Sequence, residues 1–301
     1  MRAKTDHISV CICTYKRPDL LRNLLAKMSG QETHGLFSLS AVVIDNDVDQ
    51  SGRAAFTDQN KMTIPVTYQV EPERNISLAR NRSIENAGGN LIAFIDDDEF
   101  PEKDWLINHY RAIQVSRADG VLGPVKPHYD RQTPTWLVKS KLLERRSFHT
   151  GYVMKDYRDT RTGNALLLRS VFADRADWFD PRFGKSGGGD AVFFKRMIEK
   201  GKTFIWCEEA VVSEVVPPER QKKSYYLKRA MTRGVVEARQ SRFLSSNTLR
   251  SFAAIPLYAL ILPFTLLRGQ HVFMKYMVKE CDHLSKVLSH FGIVLTKERP
   301  Y

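Results

Sequence analysis

Four acids in a row, Asp96, Asp97, Asp98 and Glu99, follow directly on the apolar run Leu91 to Ile95. A short apolar run bounded by charge reads as a buried strand, which puts the acids at its carboxyl end. In open α/β sheets, ligands bind outside that edge, where strand order reverses. Adjacent carboxylates repel one another. A hard divalent cation such as Mg²⁺ or Mn²⁺ relieves the repulsion and bridges carboxylates to substrate phosphates. The run is therefore read as a metal site that clamps a phosphorylated ligand, in preference to a solvated turn capping the helix that follows at Trp105.

Two further groups belong with it. Asp45, Asn46 and Asp47 end a second apolar run, Ala41 to Ile44, and two acidic strand ends on one edge imply one pocket. Asp190 follows Gly187, Gly188 and Gly189 in the loop Phe183-Gly184-Lys185-Ser186-Gly187-Gly188-Gly189 and opens a helix carrying Val192, Phe193, Met197 and Ile198. Glycines let backbone approach a ligand closely, so Asp190 is the candidate general base; a helix cap is its other reading, and the two are compatible. Arg80, in the helix read from Asn75 to Ala87, is placed to reach phosphates or to pair with Asp96.

The elements that must position these groups alternate. A strand from Ile8 to Cys13 leads through Thr14, Tyr15, Lys16 and Arg17 into a helix opened by Pro18 and Asp19, with Leu20, Leu21, Leu24, Leu25 and Met28 on one face and Gly30 at its end. No glycine-rich turn follows the first strand, which argues against a dinucleotide-binding dehydrogenase. Further strands are read at Val66 to Val70, Val121 to Val125 and Ala165 to Leu168, the last preceded by Thr162, Gly163 and Asn164; a proline-marked loop holds Pro127, Pro134 and Trp136. Strand and helix in alternation give an α/β fold.

The chain's 301 residues suffice for one large domain with an appendage. Cys11, Cys13, Cys207 and Cys281 are too scattered for a disulfide framework, and the first residues lack the apolar core of a signal peptide. The net charge of +12 is concentrated late: residues 217–301 hold 15 Lys and Arg against 5 Asp and Glu. No nucleic-acid motif accompanies it. The same tail contains Ser251 to Leu267, uncharged and flanked by Arg250 and Arg268. Pro256 and Pro263 should break helical hydrogen bonding there, so a re-entrant or interfacial segment is expected, followed from Val272 to Val294 by an amphipathic helix on an anionic lipid surface. A polypeptide groove is the alternative for that amphipathic face.

Taken together, the motifs ISVCICTYKRPDLL, VVIDND, RNISLARNRSIENAGGNLIAFIDDDEFP, TGNALL, FDPRFGKSGGGDAVFF and WCEEAVVSEVVP resemble the inverting family 2 glycosyltransferases of GT-A fold, especially those that build bacterial exopolysaccharides such as succinoglycan. The resemblance implies a Rossmann-like, mostly parallel sheet with helices on both faces over 1–234, divided near 120 into nucleotide and acceptor halves, and a helical membrane-associating tail over 235–301. It implies that Thr14, Tyr15, Arg17 and Asp45 line the nucleotide pocket of a UDP-sugar. It also implies that Asp96 lies near the ribose and that Asp97 belongs to the nucleotide site, with Asp96 and Asp98 at an Mg²⁺ or Mn²⁺ ion that bridges the diphosphate. Arg80 matches the arginine of the nucleotide site, Asp190 the base that deprotonates the acceptor, and Arg229 and Arg233 a basic segment closing over the diphosphate. Where relatives carry a histidine metal ligand this chain offers Glu214, and where many have Glu-Asp at the base motif it has Gly189-Asp190. The expected acceptor is a lipid-linked saccharide at the cytoplasmic face of the inner membrane. A nucleotidyltransferase making nucleotide sugars would need a phosphate loop that Thr14 to Pro18 do not form; an inactive carbohydrate-binding scaffold would not need both the aspartate run and Asp190.

Overall fold

The structure is a computed structural model that describes residues 5–56, 63–185, 187–240, 242–243 and 245–296, so Ser186 of the glycine loop lies outside the described residues. Alternation along β1 (Asp6–Thr14) sends Ile8, Val10 and Ile12 to one core and Cys11 to another, because successive strand side chains point to opposite faces. Parallel to β1 run β2 (Phe37–Asp45) on one side and β4 (Leu91–Asp96) on the other, with β3 (Val66–Val70) beyond β2. Past β4 the sheet continues with β8 (Asn164–Leu168), which is antiparallel to its neighbours, then β6 (Gly120–Leu122) and β9 (Phe204–Trp206). The small strands β5 (Glu99–Pro101), β7 (Val125–His128) and β10 (Val212–Val215) form a second sheet in the order β5-β10-β7.

Helices cover both faces of the large sheet, as expected. On one side α1 (Pro18–Ser29) buries Leu21, Leu24, Leu25 and Met28, and α3 (Trp105–Ser116) buries Trp105, Leu106, Ile107 and Ile113 in the same core. On the other, α2 (Ile76–Asn86) and α5 (Gly189–Glu199) contribute Ala79, Ile84, Phe193, Phe194 and Met197. Each fully buried side chain of this size contributes roughly 1.5–3 kcal/mol. All four cysteines are free, and Cys11 is buried as a core residue.

The single strand expected from Val121 to Val125 is two, β6 and β7, broken at Gly123 and Pro124. The break makes room for Asn164. A Cβ on Gly123 would come within 2.5 Å of Asn164 Nδ2 and 2.4 Å of the Ala210 carbonyl. Asn164, fully buried, accepts hydrogen bonds from Trp105 Nε1 and the His109 ring Nε2, each at 2.7 Å, and donates to the carbonyls of Pro124 at 3.0 Å and Ala210 at 2.7 Å. That assignment puts the proton on Nε2 of a neutral imidazole, and burial lowers His109 to about 4.

The chain divides into two compact units. One runs up to Lys126 and again over Arg145–Glu214; the other takes Pro127–Glu144 and the chain from Val215. The second unit contains α4 (Thr135–Ser140), α6 (Lys223–Gln240), α7 (Ser246–Leu267) and α8 (Gln270–His290). Residue 234, where a division was expected, lies inside α6: a Cβ on Gly234 would meet the Asp282 carbonyl at 2.5 Å, so α6 and α8 touch backbone to backbone there. Met274 and Val278 of α8 are buried with Leu137, Tyr226 and Ala230. The apolar stripe of α8 therefore packs on protein within its own unit, which corrects the expectation of a lipid-facing helix.

The prolines do not break α7. It runs unbroken for 22 residues through Pro256 and Pro263. A proline inside a helix costs about 3 kcal/mol, and packing on α8 offsets that cost, with Ser251 Oγ sharing a 2.9 Å hydrogen bond with His283 Nδ1. Its other face exposes Leu257, Leu260, Phe264 and Leu267. By length and composition α7 is able to cross a membrane.

Replacing Asn164 with Ala strands two buried donors and two carbonyls, each worth about 1–3 kcal/mol when left unpaired. Urea denaturation should show a loss of at least about 3 kcal/mol; a variant as stable as wild type would mean that the hub is not holding β8, α3 and the 124 and 210 loops together.

Candidate active site

Because β1 lies between β2 and β4, with Thr14 opposite Asp45 and Cys13 opposite Asp96, both acidic strand ends reach one rim of the sheet. The first of them is closed. Asp45 is fully buried, and its oxygens accept from the amides of Asp47 at 3.1 Å and Gly52 at 2.6 Å and from the Tyr68 hydroxyl at 2.7 Å. It shapes the turn after β2. Tyr15, half-buried, stands nearby in sequence with the Arg74 guanidinium 4.6 Å from its ring centroid.

The aspartate run is tied down by two arginines. Lys16 takes a left-handed φ of 55° and gives its amide to Ser51 Oγ, and Arg17 follows it with Nη1 3.1 Å from Asp97 and 3.0 Å from Asp98. Buried Asp97 also accepts from Thr14 Oγ1 at 2.8 Å; burial raises its pKa, with Arg17 and Thr14 pulling the other way. Arg80, buried in α2, lies 3.6 Å from Asp96 and 2.6 Å from Asp190. Of the two readings given to it, ion pairing with Asp96 is realised, and Asp190 is a second partner.

Asp190 meets Arg80 because α2 grips the segment before the glycines. Asn75 caps α2 through Ser77 and Leu78 and donates to the Pro181 carbonyl at 2.9 Å. Asn81 both donates to and accepts from the Phe179 backbone. Gly184 is required: a Cβ there would fall 1.6 Å from Asn75 Oδ1. Gly187 and Gly188 then take left-handed φ values of 83° and 86°, a region glycine enters without steric cost. Gly188 occupies the cap of α5, so Asp190 does not cap. Its Oδ2 instead accepts from Thr162 Oγ1 at 3.0 Å and the Thr162 amide at 3.3 Å. Burial pushes the Asp190 carboxyl up, but Arg80 and Thr162 outweigh it and hold the group below the usual range.

Glu99, read from sequence as part of the acidic run but given no role of its own, completes the cluster. It opens β5, is fully buried, and accepts from the Asp96 amide at 3.1 Å. In the β5–β10 pair it stands directly opposite Glu214, and like charges placed so are destabilising. Desolvation first, and then Asp96, Asp98 and Glu214, raise Glu99 well above the ordinary glutamate range. Desolvation pushes Asp96 up to about 6 against the pull of Arg80, with Asp98, Asp190 and Glu214 adding to the rise. Glu214 itself pairs with Arg145 at 3.2 Å. Gly163 leaves the space these acids occupy, since a Cβ would meet Glu99 Oε1 at 2.5 Å. The TGN motif thus does three jobs in three residues: Thr162 holds Asp190, Gly163 admits Glu99, and Asn164 fixes the loops.

Among the described residues no three His, Cys, Asp or Glu side chains are arranged as a ready metal shell. The donor set is nevertheless of the kind a hard cation takes: Asp96, Asp98, Glu99 and Glu214 are carboxylates brought together, two of them raised by desolvation first and by neighbouring acids second. In the second unit, Arg229 is exposed on α6 and Arg233 is paired with Asp282 of α8.

The Glycosyl transferase family 2 profile matches residues 9–175. Over 245 residues the sequence is 35% identical to the succinoglycan biosynthesis protein ExoM of Rhizobium meliloti, covering 79% of this chain and 76% of that one. The chain belongs to glycosyl transferase family 2. Among solved structures, the mannosyltransferase PcManGT of Pyrobaculum calidifontis, in complex with GDP-Man and Mn²⁺, superposes with a TM-score of 0.59 at 18% identity, over 93% of this chain and 86% of that one. S. aureus TarS in complex with UDP-GlcNAc gives 0.54 at 14% identity, over 95% and 90%. The fold is that of these GT-A-like proteins, and the family 2 enzyme described here is a glycosyltransferase related to exopolysaccharide synthesis.

The raised carboxyl of Glu99 fixes a sign. Its folded form binds a proton more tightly than the unfolded chain does, so its contribution is favourable below the ordinary glutamate pKa and is lost as pH rises toward the folded value. Glu99→Gln keeps the hydrogen bond from Asp96 and removes the charge. Thermal melts should place it above wild type at pH 7.5, with the gap closing near pH 4; equal melting temperatures at pH 7.5 would refute the electrostatic reading.

Proposed function

We propose that this chain is an inverting transferase that moves a sugar from a UDP-sugar to a hydroxyl of a lipid-linked saccharide, with Asp190 as base. What supports this most is the convergence on one rim of the aspartate run after β4, the buried Arg80 and the Thr162-bound Asp190, in a member of family 2.

Asp98 and Asp96, with Glu214, would hold Mg²⁺ or Mn²⁺, which supplies charge neutralisation at the departing diphosphate. Thr14, Tyr15, Arg17, Asp97 and Asp45 belong to the nucleotide side, Asp45 by setting the turn that shapes it. Arg80 moves from Asp190 toward the donor's phosphates when the donor arrives. Loss of that cation lets the Asp190 carboxyl rise toward its ordinary pKa, which makes it a stronger base as it becomes needed. Thr162 keeps the carboxylate oriented while it takes the acceptor's proton. The hydroxyl oxygen then bonds to the anomeric carbon as the bond to the diphosphate breaks on the opposite face, inverting the centre. The basic tail and the exposed face of α7 would hold the enzyme to an anionic leaflet on the cytoplasmic side of the membrane.

Asp98→Ala should weaken metal-dependent binding of the donor, read by calorimetry with and without a chelator. Asp190→Asn should bind donor like wild type and lose at least about 100-fold in transfer; undiminished turnover would remove the base assignment. Truncating α7 and α8 would strip Met274 and Val278 from the second unit's core, so membrane attachment is better tested by replacing Leu260 and Phe264 with Gln. Vesicle co-sedimentation should fall, and unchanged sedimentation would discard attachment through α7.

A further inference from the structure

Arg161 immediately precedes the threonine that holds Asp190, and its side chain is half-buried. Its neighbours in sequence and space are all engaged: Thr162 with Asp190, Arg145 with Glu214, and Glu214 opposite Glu99. Arg161 is not. Among the described residues its guanidinium makes no hydrogen bond, and no carboxylate lies within ion-pair distance. Burial first and then Arg145 lower it to about 10, while Glu99, Asp190 and Glu214 pull the other way. An arginine carries five donors in a planar fork, and an unpaired cation in a partly desolvated place is costly. Among the described residues Arg161 caps no helix and stacks on no ring, so only the longer-range attraction of Glu99, Asp190 and Glu214 offsets that cost.

We propose that Arg161 is a substrate oxyanion site, a guanidinium kept unpaired beside the base so that it can take a phosphoryl group in bidentate fashion. This rests on the reading of the substrates as a nucleotide sugar and a lipid-linked saccharide, each of which carries phosphate. The donor diphosphate and the phosphate joining lipid to acceptor sugar offer the same chemistry. Arg17 and Arg80 are tied to carboxylates before any substrate arrives; Arg161 has no such partner to give up. Its contribution should therefore appear directly as affinity.

The test compares Arg161→Gln and Arg161→Lys with wild type in the full chain. Calorimetry with UDP plus Mn²⁺ reads the donor source, and calorimetry with a short-chain prenyl-diphosphate saccharide reads the acceptor source. Arg161→Gln should lose at least tenfold in affinity for one of the two, with Lys intermediate, and ligand-free melting should stay at or above the wild-type temperature because no internal partner is lost. Unchanged affinity for both ligands, or a ligand-free melting temperature several degrees lower, would overturn the proposal. The two readings also fail separately. If no sugar is transferred and Arg161 still governs phosphate affinity, the transferase reading falls alone; if transfer proceeds and Arg161→Gln leaves both affinities intact, the oxyanion site falls alone.

Discussion

Crowded negative charge at the end of β4 is the constraint to which the rest of the site answers. Asp96, Asp97, Asp98 and Glu99 sit within one turn, with Glu214 brought alongside by strand pairing. Arg17 and Arg80 each span two carboxylates, and Arg145 takes a fifth. Two of the acids remain raised all the same. The raised acids cost stability at this rim, the usual trade at functional sites.

The positions of the arginines follow from backbone chemistry more than from charge. Arg17 reaches the acids because Lys16 adopts a left-handed turn. Arg80 reaches Asp190 because Asn75 and Asn81 on the same helix clasp the segment leading to the glycines. Neutral side chains do the placing, and charged ones do the work once placed.

Much of this was legible in the order of residues. The alternation of β1, the leucine stripe of α1 and the acids ending β2 and β4 each follow from local periodicity, and the membership of family 2 was visible in the motifs. What could not be read was long-range. Glu99 was legible only as the last member of the acidic run; its burial opposite Glu214 on a separate strand was not. Asn164 looked like the start of a strand, whereas its four partners come from three distant stretches. Asp190 had a plausible local role as a cap until Gly188 took it. In the tail, composition alone could not say whether the stripe of α8 faced lipid or protein; the backbone contact at Gly234 decides for protein. Nor could proline counting foresee α7, where tertiary packing overrides a local break.

One strand in the large sheet runs against the rest of its neighbourhood. Parallel strands deliver side chains to the rim only as the chain leaves the sheet. Because β8 is antiparallel to β4, with Asn164 beside Ile95, its amino end arrives at that same rim, and residues 161–164 enter there as the strand begins. Had β8 pointed the other way, Arg161 and Thr162 would lie a sheet's length from Asp96. A single reversed segment thus supplies the chemistry with a second, independent supply line, one whose loop can change length or composition without disturbing the strands that carry the aspartates.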